Sequence, residues 1–211
     1  MFVEKKAGAY SGWAMLALLL VAMVLLIAAF ISATKGKEPW LVILWLLAMM
    51  LDAFLLTGFI IVNPNEGKVV LLFGTYLGTI RDAGFWWMNP LTTKRRVSLR
   101  VRNFETPKLK VNDHDGNPIE IAAVVVWQVV DTAEAIFQVD DYENFVHVQS
   151  EAALRNLATS YPYDAHQEGQ MSLRGNTVEI AKELKREIQE RLAKAGVEVI
   201  ESRISHLAYA P

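Results

Sequence analysis

Two long apolar runs stand at the start of the chain, and a mixture of shorter periodic segments follows them. From Trp13 to Ile31 there is no charged residue, and from Trp40 to Val62 the single charge is Asp52. As helices these runs would reach roughly 28 Å and 34 Å, each enough to cross a hydrocarbon core about 30 Å thick. A cleaved signal is the alternative for the first run, because Lys5 and Lys6 precede it. Its length exceeds the usual apolar region of about 7–15 residues, and a second run follows closely. The link Ser32 to Pro39, SATKGKEP, is polar and holds Gly36, so the two runs predict an antiparallel helical hairpin over residues 1–62 with spans at about 13–31 and 40–62.

Beyond the hairpin the period shortens. Lys68 to Ile80 is apolar and β-branched around Gly74 and reads as two short strands or one bulged strand. Lys94 to Arg102 alternates: Val97, Leu99 and Val101 face one way, and Lys94, Arg96, Ser98, Arg100 and Arg102 the other, a half-buried strand with a row of positive charge. Asp115-Gly116 marks a hairpin turn, and Ile119 to Val130, apolar on both faces, reads as a central strand.

Helical signals come next. Asp131 with Glu134, and Asp140 with Glu143, have capping-box spacing for a short helix and a longer one through Tyr161, whose apolar face would comprise Phe145, Val148, Ala152, Leu154, Leu157 and Ala158. Asn176 with Glu179 starts a further helix with a stripe from Val178 to Ala195 and a C-cap at Gly196. The remaining charged surface of that helix suits either solvent or a subunit contact. Val197 to Tyr209 returns as a strand. The fold class is therefore α+β: a transmembrane hairpin, then one domain over 63–211 with helices packed on a mostly antiparallel sheet.

Composition sharpens this picture. The chain of 211 residues is 53% hydrophobic and carries a net charge of −2. Lysines flank both ends of the hairpin, so the positive-inside count alone is nearly a tie. The segment Arg81 to Lys110 breaks it, with eight basic residues against Asp82 and Glu105, as suits an anionic cytoplasmic leaflet. The expectation is an integral membrane protein with its N-terminus and its domain both cytoplasmic. No cysteine occurs, which removes disulfides, thiol nucleophiles and thiolate metal sites.

Candidate chemistry is sparse. His114, His147, His166 and His206 show no metal-ligand spacing, so no metal and no cofactor is expected. Asp113, Asp115 and Asn117 faintly suggest a calcium loop, but Gly116 is misplaced and Val124 stands where the final glutamate belongs. No GxSxG, P-loop or GxGxxG is present. The basic row Lys94, Arg96, Arg100, Arg102 has no interleaved aromatic residue and the domain is net acidic, which disfavours nucleic acid and favours anionic lipid. Asp52, near the middle of the second run, is either a relay or subunit contact, or a protonated or locally bonded carboxyl with Ser32 or Thr57 as partner. In GFWWMNP, Trp86 and Trp87 alternate on a strand. One belongs in a core, and the other, with Phe85 or Met88, is a candidate membrane-interface anchor beside Lys94, Arg96, Arg100 and Arg102; alternatively both are absorbed by separate packing faces.

The order of pieces resembles a known family. A membrane segment precedes NPNEGKVVLLFGTYLGTIRDAGFWWMNP, then RRVSLRVRNFET, DGNPIEIAAVVVWQVVD and YENFVHVQSEAALRNLATSYPYD. Together they look like the SPFH (Band 7, PHB) family of stomatins, prohibitins and flotillins. The resemblance covers Asn63 to Pro211. It implies a non-enzymatic scaffold whose copies assemble into large rings or cages, organise lipids, and accompany partners such as a membrane-bound AAA protease. It also implies a long charged helix after AYAP, where this sequence stops at Pro211. Many relatives carry one membrane segment where this chain carries two. The competing expectation is a monomeric or dimeric membrane-anchored module that binds a lipid or other ligand in an apolar pocket.

Overall fold

The computed structural model describes residues 4–36, 39–165 and 170–210; Lys37 of the expected turn and His166 lie outside the described residues. The chain divides into two compact units, Lys5–Ser98 and Leu99–Pro211 with Met1–Glu4. The 63–211 stretch expected as one domain is thus shared between them, because residues 63–98 pack with the hairpin.

In the first unit β1 (Tyr10–Ser11) leads into α1 (Gly12–Lys35), and α2 (Pro39–Leu56) returns. Pro39 opens α2, a position where its missing N–H costs nothing. The helices, roughly 36 Å and 27 Å long, meet along a seam at three- and four-residue spacing: Gly12, Leu19 and Ala33 on α1 are buried, as is Asp52 on α2. Leu20, Val24, Ile31, Ile43, Leu47 and Leu51 stay exposed. Both helices are long and apolar enough to cross a membrane by length and composition.

The second helix ends sooner than its apolar run predicts. At Leu56 the chain leaves the helix, and Phe59–Val62 becomes β2 because it pairs antiparallel with β5 (Gly84–Trp87). Hydrophobicity alone does not distinguish these last residues from helix; strand pairing decides. The span expected at 40–62 is corrected to α2 and β2.

β5 also pairs with β1, giving a three-stranded sheet β1-β5-β2 that holds the entry to α1 and the exit from α2 on one strand. Two glycines permit the approach. A Cβ on Gly12 would lie 2.5 Å from the Phe85 ring, and one on Gly58 would lie 2.3 Å from the Met88 carbonyl oxygen. A second sheet, β4-β3-β6, comprises β3 (Glu66–Leu72), β4 (Thr75–Ile80) and β6 (Thr92–Ser98). Its β3–β4 turn places Phe73 at φ 48° beside Gly74 at φ 85°, as the paired left-handed residues of a tight hairpin require. Ala7, Ile60, Val62, Val70, Ile80 and Met88 form a small core between the sheets, joined by Ala9 and Trp86.

The second unit is built on one long strand. β9 (Pro118–Val129) lies between β10 (Val197–Tyr209) and the pair β7 (Arg102–Glu105) and β8 (Leu109–Asn112), all antiparallel. Ile119, Ile121, Ala123, Val125, Trp127 and Val129 are buried, whereas Val124 and Val126 on the other face are only half-buried and Val130 is exposed. The central-strand reading holds, but only one of its faces is fully covered.

Helices α3 (Thr132–Phe137), α4 (Tyr142–Ser160) and α5 (Thr177–Leu192) complete this unit. Asp131 caps α3 by accepting from the N–H groups of Ala133 and Glu134, and the Glu4 carboxylate accepts from Thr132 N at 2.7 Å, adding negative charge at that helix start. For α4 the cap is Asp141, one residue later than the spacing suggests. The buried face of α4 is Val146, Ser150, Ala153, Leu154, Leu157 and Ala158, and Val148, expected on it, is exposed. Asn176 does not cap α5; its Oδ1 accepts from Ser172 N, and Ile180, Leu184, Ile188 and Leu192 form the buried stripe. Val178 is exposed.

Candidate functional site

The GFWW strand is where the sequence-derived candidates converge. Along β5 successive side chains leave on opposite faces. Trp86 turns toward the small core and is half-buried, and its Nε1 donates to the Asp82 carbonyl at 2.9 Å. Trp87, 9% exposed, turns to the helix base, where its Nε1 donates to the Leu55 carbonyl at 2.8 Å. Leu55 lies in the last turn of α2, and its carbonyl also accepts from the Gly58 N–H at 3.1 Å, so the indole is its second donor. Met88 is buried at 5% exposure in the small core, because its N–H is held by the Gly58 carbonyl at 3.0 Å. Met88 and Trp87 are therefore packing residues, and Trp87 is the more enclosed of the two tryptophans, one of which was expected in a core.

Phe85 has a different role. It stacks on Phe59 at 5.0 Å between centroids and meets Trp13 edge-on at 5.2 Å, and Trp13 is 71% exposed. With Tyr10 these residues ring the end of the hairpin where α1 begins and α2 stops, as an aromatic belt does at a membrane boundary. Sequence reasoning passed over Trp13, Tyr10 and Phe59; the position of Trp13 at the edge of the first apolar run was the available signal.

The basic row does not survive intact. The strand expected over Lys94 to Arg102 breaks after Ser98: Lys94 and Arg96 lie on β6 in one unit, Arg100 in a bend, and Arg102 on β7 in the other. Val101, expected inside, is exposed. Arg96 is engaged by Glu66 at 2.8 Å, across from Lys68, whose Nζ sits 2.7 Å from the same carboxylate. Burial pushes the Glu66 carboxyl up, yet the bonds from Lys68 and Asn63 and the charges of Lys68 and Arg96 outweigh it and hold the group below its usual value. Partial burial pulls the Lys94 ammonium down. Arg102 is bonded to Glu143 and lies over the Trp127 ring at 5.6 Å. At least Arg96 and Arg102 are thus committed within the fold.

Asp52 is 5% exposed and its Oδ2 has no hydrogen-bond partner among the described residues. It lies four residues before the end of α2, roughly 6 Å from the helix base, and not at the middle of a span, since the helix stops at Leu56. The expected local partners do not serve it: Thr57 donates to the Phe54 carbonyl, and Ser32 lies in the last turn of α1, at the opposite end of the hairpin.

In the second unit the suspected calcium loop is a turn. Asp113, 5% exposed, accepts from the N–H groups of Asp115, Asn117 and Tyr163. Burial pushes its carboxyl up, but those bonds prevail and hold it low. Among the described residues no group of three or more His, Asp and Glu could hold a metal ion. His147 stacks on Phe104, and His206 lies 3.9 Å from Glu120. The charges on α5 largely pair among themselves, Arg186 with Glu183 and Glu190, and Arg191 with Glu187, as on a solvated face. A cleft of about 760 Å³ runs between α5 and β10, with Val178, Ile200 and Ile204 among its apolar walls and Lys182 and Arg203 among its charged ones.

Comparison with known proteins follows the same outline. A protein of Methanocaldococcus jannaschii, itself uncharacterized, is 26% identical over 121 residues, covering 57% of this chain and 61% of its own length. A stomatin homolog of Pyrococcus horikoshii is 30% identical over 105 residues, 49% of this chain and 39% of that protein. Mechanosensory protein 2 of Caenorhabditis elegans is 25% identical over 99 residues, 46% of this chain and 21% of that protein. The chain thus spans less than two thirds of the relatives it matches. Residues 60–211, from inside β2 through β10, match the SPFH domain / Band 7 family. That match begins within the strand that β5 holds and takes in the larger part of the sequence: the chain belongs to the SPFH domain / Band 7 family.

Proposed function

We propose that the protein is a membrane-anchored scaffold whose copies assemble into large rings or cages, organise a bilayer patch and gather partner proteins there, a membrane-bound AAA protease among them. The observation that carries this reading is the joining, by β5, of two apolar helices to the start of an SPFH / Band 7 domain. Their exposed leucine, valine and isoleucine side chains are what lipid would cover. The Trp13–Phe85–Phe59 group sits at the matching level for headgroups. We read the scaffold as non-catalytic and as placed with its domain in the cytoplasm of a bacterial cell. The test is the size of the detergent-solubilised protein by light scattering: particles of many copies are expected, and a monomer at every concentration would overturn the scaffold.

The cleft between α5 and β10 supports a second reading, a monomeric or dimeric membrane-anchored module that binds a ligand there. Monomeric particles that retain a bound small molecule on native mass spectrometry would favour it.

A further inference from the structure

A second cleft, of about 430 Å³, lies at the base of the hairpin and is walled by Tyr10, Leu55, Leu77, Trp87, Met88 and Pro90. Its volume falls within the range of about 300–1,000 Å³ typical of small-molecule sites. Three of its polar side-chain atoms are engaged within the fold. The Trp87 indole donates to the Leu55 carbonyl, Asn89 Oδ1 accepts from Leu91 N at 2.9 Å, and Thr92 Oγ1 donates to the Asn89 carbonyl at 2.6 Å. A ligand that needed many hydrogen bonds from these walls would find few, whereas a hydrocarbon would meet Leu55, Leu77, Trp87, Met88 and Pro90. The Tyr10 phenol, on a side chain 71% exposed, and the exposed Asn89 amide supply the polar tips among its lining residues. One wall is Leu55 in the last turn of α2, so the cleft is continuous with the apolar surface of that helix.

We propose that this cleft seats one acyl chain of a phospholipid drawn from the surrounding bilayer, with the Tyr10 hydroxyl facing the headgroup end. This rests on the membrane-anchored reading above. The seat would fix a lipid at the place where β5 holds both helix ends, and the strand sheet would then present part of its anchor as bound lipid. Leu77, 43% exposed on β4, would gain apolar cover that the chain itself does not supply.

The experiment uses the full chain in vesicles containing a phosphatidylcholine with a photoactivatable diazirine in one acyl chain, followed by mass-spectrometric mapping of adducts. Adducts are expected at Leu77 and Pro90 as well as on the outward faces of the helices, at Val24 and Ile43. Labelled helices with unlabelled Leu77 and Pro90, the result also expected if a second copy filled the cleft, would overturn the lipid seat and leave the membrane reading standing. No adduct on the helices either would overturn both. The variant Leu77→Asp places a carboxylate in the cleft and should abolish the Pro90 adducts while those at Val24 and Ile43 persist. Persistence of the Pro90 adducts in that variant would show mere proximity to the bilayer and overturn the seat.

Discussion

The two units bury their apolar residues by opposite rules. In Leu99–Pro211 the large apolar side chains turn inward: Ile121, Leu154, Leu157, Ile180, Leu184 and Ile188 are each at most 1% exposed. In Lys5–Ser98 the longest apolar elements turn outward, with Leu18, Val24, Leu25, Ile43 and Leu47 each more than 45% exposed. Charge divides the same way. Nine basic residues oppose four acidic ones in Lys5–Ser98, while twelve oppose nineteen in the other unit. A single figure of −2 for the chain conceals both, and the lesson is that net charge and mean hydropathy are properties of units before they are properties of chains.

The largest test of this contrast falls on the one large aromatic in the first unit that does turn inward beside the helices. Trp87→Ala should cost about 3–5 kcal/mol, because it empties a buried site and removes the indole bond to the Leu55 carbonyl. Denaturant unfolding of the reconstituted protein would read it. A cost below that of Trp86→Ala would break the claim that β5 fastens the helix base. Next, Leu184→Ala should cost about 2–5 kcal/mol and Leu47→Ala within about 0.5 kcal/mol, since only the former leaves a cavity. Equal costs would mean that the outward helix face is packed after all.

Acid offers a milder probe that reaches both units. Glu66 and Asp113 are each held below their ordinary values of 4.5 and 3.8. A carboxylate lowered on folding contributes stability above its unfolded value and loses it as the pH falls through the folded one. Stability should therefore decline below about pH 4 in both units. Asp113→Asn should flatten that decline in the second unit and Glu66→Gln in the first, each at a cost of about 1–3 kcal/mol at neutral pH. The smallest effect has the opposite sign. Phe73, 82% exposed at φ 48°, pays for a backbone region that asparagine tolerates, so Phe73→Asn should gain up to about 1 kcal/mol. A loss on thermal unfolding would show that the ring has a partner in the folded protein.

Most of the elements of the second unit were legible because each carries its own local signal. Asp131 and Gly116 are cap and turn residues whose chemistry acts over three or four positions, and the stripe Ile180, Leu184, Ile188 repeats with the helical period. What escaped reading depends on distant partners. Nothing local in FIIV says strand; β2 exists because Phe59 to Val62 finds Trp87 to Gly84. The same holds for Tyr10–Ser11, two residues that become β1 only against β5. The basic row failed for a related reason. Alternation from Lys94 to Arg102 describes one strand, but Ser98 pairs with Glu66 and Arg102 with Trp127, so the two halves enter different sheets. At the candidate site an aromatic cluster around Phe85 was expected, and the companions that the fold gives Phe85, Trp13 from the start of α1 and Phe59 from β2, are distant in sequence and were not legible.

The pairing of β5 with chain on both sides of the hairpin also sets an order of events during synthesis. Helices α1 and α2 are complete well before residues 84–87 leave the ribosome, and Ser11 is 75 positions from its partner Trp86. At about 5–20 residues per second the first strand waits roughly 4–15 s for that partner. For that interval the hairpin must hold itself by its own seam, and the arrival of β5 then acts as a latch that ties the start of α1 to the exit from α2.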